Sequence, residues 1–557
     1  MSQAPTGSDD VEPVAARESP SIVRSSAVMA AGSLASRVLG LVRNTLTIAV
    51  VGLNLVPADA WNAANTLPNI FHLLIAGGVL NAVIVPQITK AMRHEDGGTV
   101  YINRLLTIAV TALAAVTLLL TLAAPLLVNI VVSASWDGPS RGLATAFAVI
   151  CLPQVFFYGV YTLFGQVLTA HNRFGMFMWA PALANVVAIA GLAWFLVTDA
   201  PLRSPVAEWT PMMIAVLAGS ATLSIALQAL VLIPSLRATG LHFRPVWGLR
   251  GSGLRSASRM AMWAFAAVAF GQLGYFVNSR VLTSATYEAQ RLGVEGAGLT
   301  AYANAYLLFM LPHGLVTVSL VTALFTRLSH SAHDGDTRAV AADLRRGMTL
   351  PAVILIPATA ISVLLAPFVL AAVLPGTPRT ATDASVGVLV TMMLGLVPYG
   401  WFFLVQRAYY AYEDGRTPFA LQMLVTLIAV SFSLFGSTRP AQDVATWVGI
   451  GQSLSNLVAA LLGLWLLQRR LGTLGLGRVV RQNTRLVIAT LVATGLGWLV
   501  LGGMGRVLDT HTWVGAVLVT TIVSVVVLGA SLALAARLRV REVTDLLAPL
   551  ARRLGRG

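Results

Sequence analysis

Arg37 and Arg43 stand inside residues 23–55, a stretch that is otherwise apolar and long enough to cross a membrane. Charge in hydrocarbon is costly and survives mainly where it faces a cavity or a partner. No other long apolar stretch of the chain is interrupted by charge in this way. Two guanidinium groups in one span therefore point to a protein that handles something negative. Six residues along a helix turn a side chain by about 120° in projection, so the two arginines need not share a face. One is free to bind a ligand while the other braces a neighbouring helix; bracing by both is the structural alternative. Gly32 and Gly40 permit close approach of another helix.

The next apolar stretch adds hydrogen-bonding groups at matching depth. Asn62, Asn65, Asn69 and His72 follow one another at steps of three and four, on or near one helical stripe. At 1.5 Å per residue, Asn69 and His72 lie roughly 18–22 Å in from the outer end, about as deep as Arg37 at roughly 23 Å; Arg43 is at roughly 15 Å. Asp59 is the one acid near them, placed to pair with Arg43 or to gate the mouth. Interhelical hydrogen bonding is the competing role for the asparagines. Gln272 and Asn304 are weaker candidates for a cavity wall. The eight histidines show no metal spacing, Cys151 is the only cysteine, and no pair of carboxylates falls inside a span. These absences argue against a metal site, a disulfide framework, a metal-dependent glycosyltransferase and a pump built on buried carboxylates.

The elements that must position these residues are transmembrane helices. Mean hydropathy is +0.78, with 57% hydrophobic and 11% charged residues among 557. Thirteen charge-free runs of twenty or more residues begin at positions 60, 105, 142, 174, 209, 260, 296, 347, 384, 417, 444, 486 and 510. The arginine-bearing segment makes fourteen. Under that count 28 Lys and Arg residues fall on the side of the termini, seven on the other side, and Arg37 and Arg43 between. The asymmetry places both termini in the cytoplasm of a multi-pass cell-membrane protein. It also accounts for the net charge of +15 without nucleic acid.

The expected fold class is all-α and polytopic, with two six-helix lobes and two C-terminal helices. Residues 1–20 read as a disordered cytoplasmic tail, 21–236 as the first lobe, and 237–259 as a basic cytoplasmic linker. Residues 260–470 read as the second lobe, 471–540 as the last two spans, and 541–557 as a basic tail for anionic membrane lipids. An internal repeat supports two parallel halves. Tyr158-Gly159 with Ala170, and Tyr399-Gly400 with Ala411, have the same spacing at an offset of 241 residues; Leu67-Pro68 and Leu311-Pro312 are a second match.

Three motifs carry a resemblance. Ser36-Arg37-Val38-Leu39-Gly40-Leu41-Val42-Arg43 resembles the first-helix signature of the MurJ/MviN lipid II flippases. Asp59-Ala60 with Leu67-Pro68-Asn69 resembles their second helix, and Gln406–Ala411 with Arg416-Thr417-Pro418 their tenth-to-eleventh segment. The resemblance runs over most of the chain and marks a divergent branch of the multidrug/oligosaccharidyl-lipid/polysaccharide exporter superfamily. It implies a transporter, not an enzyme, with a central cationic cavity and a groove for a lipid tail at the last two helices. The implied cargo is an undecaprenyl-diphosphate-linked disaccharide-pentapeptide, moved from inner to outer leaflet for cell-wall synthesis. Arginine suits that cargo because its planar, permanently charged fork matches phosphate oxygens. On this resemblance Arg37, Arg43, Asn69, His72 and Ser36 are substrate-binding and Asp59 is gating; Asn62, Asn65, Gln272 and Asn304 border the cavity. Cell-wall synthesis proteins are further implied partners. No cofactor is implied beyond a coupling ion of unstated identity.

The chain departs from the pattern at His72, Gly77, Asn44 and Ala305, where many members carry charge. Other readings are a flippase for a different polyprenyl-diphosphate-linked glycan, a small-molecule exporter of the same fold, and a non-transporting membrane scaffold.

Overall fold

The structure is a computed structural model describing residues 20–75, 99–171, 173–198, 200–240, 243–247, 259–506, 508–510 and 512–544. Most of the two tails and most of the 237–259 linker expected from the sequence lie outside the described residues. All regular structure among the described residues is helical. That outcome follows from solvent: in hydrocarbon a helix satisfies its own backbone donors and acceptors, whereas an open strand edge cannot.

The first group comprises α1 (Pro20–Val51), α2 (Val56–Ile75), α3 (Thr99–Leu122), α4 (Ala124–Val131), α5 (Gly138–Cys151), α6 (Gln154–Ala170), α7 (Gly175–Val197), α8 (Pro211–Leu230) and α9 (Leu232–Arg237). Within it, α1 packs on α7, α7 on α8, α2 on α5 and α6, and α3 on α6. The second group opens with α10 (Arg259–Arg291) and α11 (Leu299–Pro312); a π-helical stretch, His313–Val318, leads into α12 (Ser319–His333). It continues with α13 (Thr337–Thr349), α14 (Ala352–Val373), α15 (Arg379–Ala384), α16 (Val386–Leu394), α17 (Leu396–Ala411), α18 (Arg416–Gly436) and α19 (Val444–Leu471). Here α18 and α19 pack together, with α10 on α18 and α16 and α17 on α19. The last two helices, α20 (Leu476–Met504) and α21 (Trp513–Arg537), pack on each other and on α14.

Helix ends carry local signals. Asp137, Thr210 and Thr512 accept from backbone N–H groups of Ser140, Met213 and Gly515 at the starts of α5, α8 and α21. Asp414 accepts from the backbone N–H groups of Arg416 and Thr417 and from the Thr417 hydroxyl, so the Arg-Thr-Pro motif is the capped first turn of α18.

Eleven described segments are long and apolar enough to cross a membrane, and twelve if the pair Arg379–Leu394 and Leu396–Ala411, bent by 42°, is one span. The expected fourteen are not reached by this measure. The two long helices that fall short are α2 and α10, and both are polar. Helix α2 carries Asp59, three asparagines and His72; α10 carries Gln272, Asn278, Arg280, Glu288 and an arginine at each end. Helices rich in polar groups are the ones that face an interior pathway rather than lipid.

The two groups are joined at the end where α1 turns into α2. Ser133 N–H and Trp136 Nε1 donate to Thr283, each at 2.9 Å, and Arg280 donates to Asn129 O at 3.0 Å. Asn54 Nδ2 donates to Ala381 O at 2.9 Å, and Thr45 Oγ1 to Val373 O at 2.8 Å. The internal repeat has a structural counterpart: α6 and α17 end at Ala170 and Ala411, and each follows a break in its span, at Leu152–Pro153 and Gly395.

Candidate functional site

Behind that joined end lies a cavity of about 150 Å³, walled by α1, α2, α6, α7 and α8 and closed on one side by α11. Among the described residues its single cation is Arg43. Helix α1 packs Gly40 beside Asn185 of α7, and this rotation turns Arg43, Asn44 and Thr47 inward. Among the described residues no carboxylate forms an ion pair with Arg43. Neutral groups surround it instead: Asn62 and Asn65 from α2, Gln154 and Tyr158 from α6, Ser220 and Ser224 from α8, Thr300 and Asn304 from α11.

Several of these side chains hold one another in place. Asn44 Nδ2 donates to Asn304 Oδ1 at 2.6 Å, and Asn304 Nδ2 donates to Thr300 O at 2.8 Å. Gln154 Nε2 donates to Thr222 Oγ1 at 3.1 Å and to Asn65 Oδ1 at 3.5 Å. A fixed positive charge in a wall of amides and hydroxyls can take an anionic group and hydrogen-bond its oxygens. The same wall offers nothing to neutralise a cation.

Asp59 does not pair with Arg43. It is fully buried at the first turn of α2 and reaches across to the second group, accepting from Thr286 Oγ1 at 2.6 Å, Leu299 N–H at 3.1 Å and Thr300 N–H at 2.7 Å. Leu299 and Thr300 open α11, so the carboxylate satisfies N–H groups that have no partner inside that helix and meets the positive end of its dipole. Gly298 makes the approach feasible, since a Cβ there would overlap Thr286 Oγ1 and crowd Asp59 Oδ2.

The other expected site residues are distributed around this centre. Asn62, Asn65 and Asn304 line the cavity. His72 is half-buried and stacks on Tyr158 with ring centroids 5.2 Å apart. Ser36 faces α7, where Asn185 Nδ2 donates to its carbonyl at 3.0 Å and approaches its hydroxyl at 3.5 Å. Arg37 and Asn69 are exposed and do not line the cavity, because their positions turn them to other faces of α1 and α2. Gln272, half-buried on α10, also lies outside it. Sequence reasoning did not single out Gln154, Thr222, Ser220 or Ser224. An unpaired glutamine just after Pro153 in an apolar run was an available signal; the serines and threonine of α8 carry none, since such residues are common helix glue.

A second opening, an apolar groove of about 710 Å³, runs between α14, the α16–α17 bend and α20. Ile356, Val363, Leu364, Val397, Val487 and Leu491 are among the residues that line it. Helix α21 supports α14 and α20 from behind and contributes no lining residue.

Known proteins resemble the chain over nearly its whole length. A family model described as lipid II flippase MurJ matches residues 49–533. A lipid II flippase of Burkholderia cenocepacia is 27% identical over 446 residues, 76% of this chain and 80% of that protein. A probable lipid II flippase of Vibrio cholerae is 25% identical over 498 residues, 85% of this chain and 88% of that protein. Among solved structures, a lipid II flippase MurJ in an inward closed conformation superposes with a TM-score of 0.66 at 16% identity, covering 90% of this chain and 97% of that one. An inward-facing multidrug transporter of the MATE family reaches 0.63 at 15% identity, covering 79% and 95%. The two superpositions speak to fold alone. With the apolar helices, the sequence match makes the protein a multi-pass membrane protein. On the extent of the family-model match, the chain belongs to the MurJ family of lipid II flippases.

Proposed function

We propose that the chain carries an undecaprenyl-diphosphate-linked disaccharide-pentapeptide from the inner to the outer leaflet by alternating access, in support of cell-wall synthesis. Family membership and the unpaired Arg43 in a carboxylate-free cavity support this reading. With α2 and α10 counted, the spans number fourteen, the two helix groups are six-span lobes, and α20 and α21 are the additional pair. The excess of Lys and Arg on one side argues for cytoplasmic termini. The joined end then faces outward, and the conformation is closed to the outside.

Arg43 is the primary diphosphate ligand. Asn62, Asn65 and Asn304 hydrogen-bond its oxygens or the first sugar. Arg37 and Asn69, on faces outside the closed cavity, engage cargo as it enters from the inner leaflet. His72 holds Tyr158 against the cavity, and Ser36 sets the α1–α7 contact through Asn185. Asp59 latches the outer gate by capping α11. The groove at α20 has the apolar lining for a prenyl chain. A cationic drug is disfavoured as cargo because no carboxylate among the described residues lines the cavity.

The test is lipid II exposure at the outer leaflet of cells depleted of their own flippase. Rescue by the wild type and not by a normally expressed Arg43→Ala protein supports cargo and site together. Rescue by both makes Arg43 structural; rescue by neither moves the cargo to another lipid-linked glycan.

A further inference from the structure

Deep in the second helix group is a polar cluster that the cargo cavity does not use. His313 opens the π-helical stretch that separates α11 from α12. Widened turns of this kind occur frequently at functional sites. His313 is 1% exposed and its Nδ1 has no hydrogen-bond partner. One turn further, Thr317 is fully buried and its Oγ1 is equally unpaired. Tyr399 of α17 lies against the imidazole at 4.5 Å between centroids, and Phe403 meets it edge-on at 5.4 Å. The first helix group repeats the pair: His72 stacks on Tyr158, its Nδ1 is also unpaired, and both residues sit 241 positions before His313 and Tyr399.

We propose that His313 is a proton-carrying site of the transport cycle, with Thr317 and Tyr399 as its positioning residues. The proposal rests on the reading of the chain as an alternating-access transporter. Imidazole is the side chain whose ordinary titration falls between about pH 5 and 8, and an ionisable group buried in a membrane bundle marks a relay or binding site by default. The surroundings carry few competitors. Helix α14 has no titratable residue, and α11 presents only Tyr302 and Tyr306. On α17, Tyr399 faces the ring, while Arg407 stacks on Phe403 at 5.0 Å from its centroid; Tyr409 and Tyr410 lie further along. On α12, Arg327 is about 21 Å along the helix, and His330 and His333 lie beyond it. A hard metal cation would need a full set of oxygen ligands, whereas the unpaired atoms here are one ring nitrogen and one hydroxyl. His72 differs in one respect: it is only half-buried, whereas His313 is enclosed.

In the cycle the imidazole takes a proton from water on the side to which the pathway is open. After the helices repack, it returns the proton to water on the other side. Only an N–H bond forms and breaks, and one proton crosses per cycle. The experiment has two arms. Purified full-length protein with isotope-labelled histidine is titrated by NMR without cargo, the His313 signal being identified by its loss in His313→Gln. The same proteins in liposomes are then assayed for lipid II flipping across the same pH range. The expected result is a His313 signal that titrates within the pH range tested. Flipping by the wild type then changes severalfold over that range, and the profile of His313→Gln is flat. If His313→Gln does not fold, Thr317→Val serves, with an expected shift in the midpoint of both curves. A His313 signal that does not move, or superimposable flipping profiles, overturns the proposal. Titration of His313 in a protein that flips no lipid II at any pH would sink the cargo reading and leave the proton site standing.

Discussion

At the scale of single residues, Asp59 and Arg43 make opposite uses of burial. Asp59 is an acid without a cation, made stable by three neutral donors, two of them at a helix start. Arg43 is a cation without an acid, left available to a ligand. Asp59→Asn keeps the shape but loses the charge, turns one acceptor oxygen into a donor, and weakens the cap on α11 by about 1–3 kcal/mol. The expected outcome is a shift toward the outward-open form, read as faster labelling of a cysteine placed at Ser133. Background labelling is low because the native Cys151 is buried. Gly298→Ala acts in the same direction by crowding Thr286. At Arg43, lysine keeps the charge but loses the planar fork. Arg43→Lys should retain a measurable fraction of flipping, and Arg43→Ala should fall to background in the same outer-leaflet assay. Equal loss in both would make geometry, not charge, the requirement.

At the scale of elements, breaks and close contacts decide which faces meet. Gly159 lies against Leu113 of α3 so tightly that a Cβ would clash with both Leu113 methyl groups. Gly159→Val should cost about 1–3 kcal/mol through overpacking, read as a lower unfolding temperature of the purified protein. Helix α5 starts at an exposed cap: Asp137 accepts from Ser140 N–H at 2.9 Å, and hydrogen bonding to Ser140 holds its carboxyl below the usual carboxylate range. A lowered folded-state pKa means the cap's contribution is complete above the ordinary carboxylate value and fades as pH falls through the folded one. Asp137→Ala should therefore cost about 1 kcal/mol near neutral pH and progressively less below about pH 4. A penalty that is constant with pH would show that the carboxylate is not what caps the helix.

At the scale of the whole molecule, the polar cavity and the apolar groove match the two chemistries of one amphipathic cargo. A bulky ring in the groove tests that division. Leu491→Trp should reduce flipping of a long-chain substrate severalfold while leaving a short-chain analogue nearly unaffected. Equal loss of both would move the tail elsewhere.

Much of this was legible in the residues. Apolar run lengths fixed an all-helical membrane chain, because hydrocarbon leaves the backbone no alternative. Charge inside residues 23–55 marked α1 as functional, since burying it without purpose is too costly. The 241-residue offset of Tyr158 and Tyr399 pointed to two parallel halves, whereas the matching breaks and ends of their helices came from the structure. Rotation and cross-lobe pairing were not legible. The turn from Arg37 to Arg43 is set by which face of α1 packs on α7, and that depends on Asn185, far along the chain. The partners of Asp59 lie more than two hundred residues away at Thr286 and Thr300, so no local pattern reveals them. His72 and His313 look unremarkable in sequence; only the packing of Tyr158 and Tyr399 against them makes a repeated pair. Periodicity and hydropathy act between neighbours along the chain, whereas a cavity is defined by which distant faces are left facing one another.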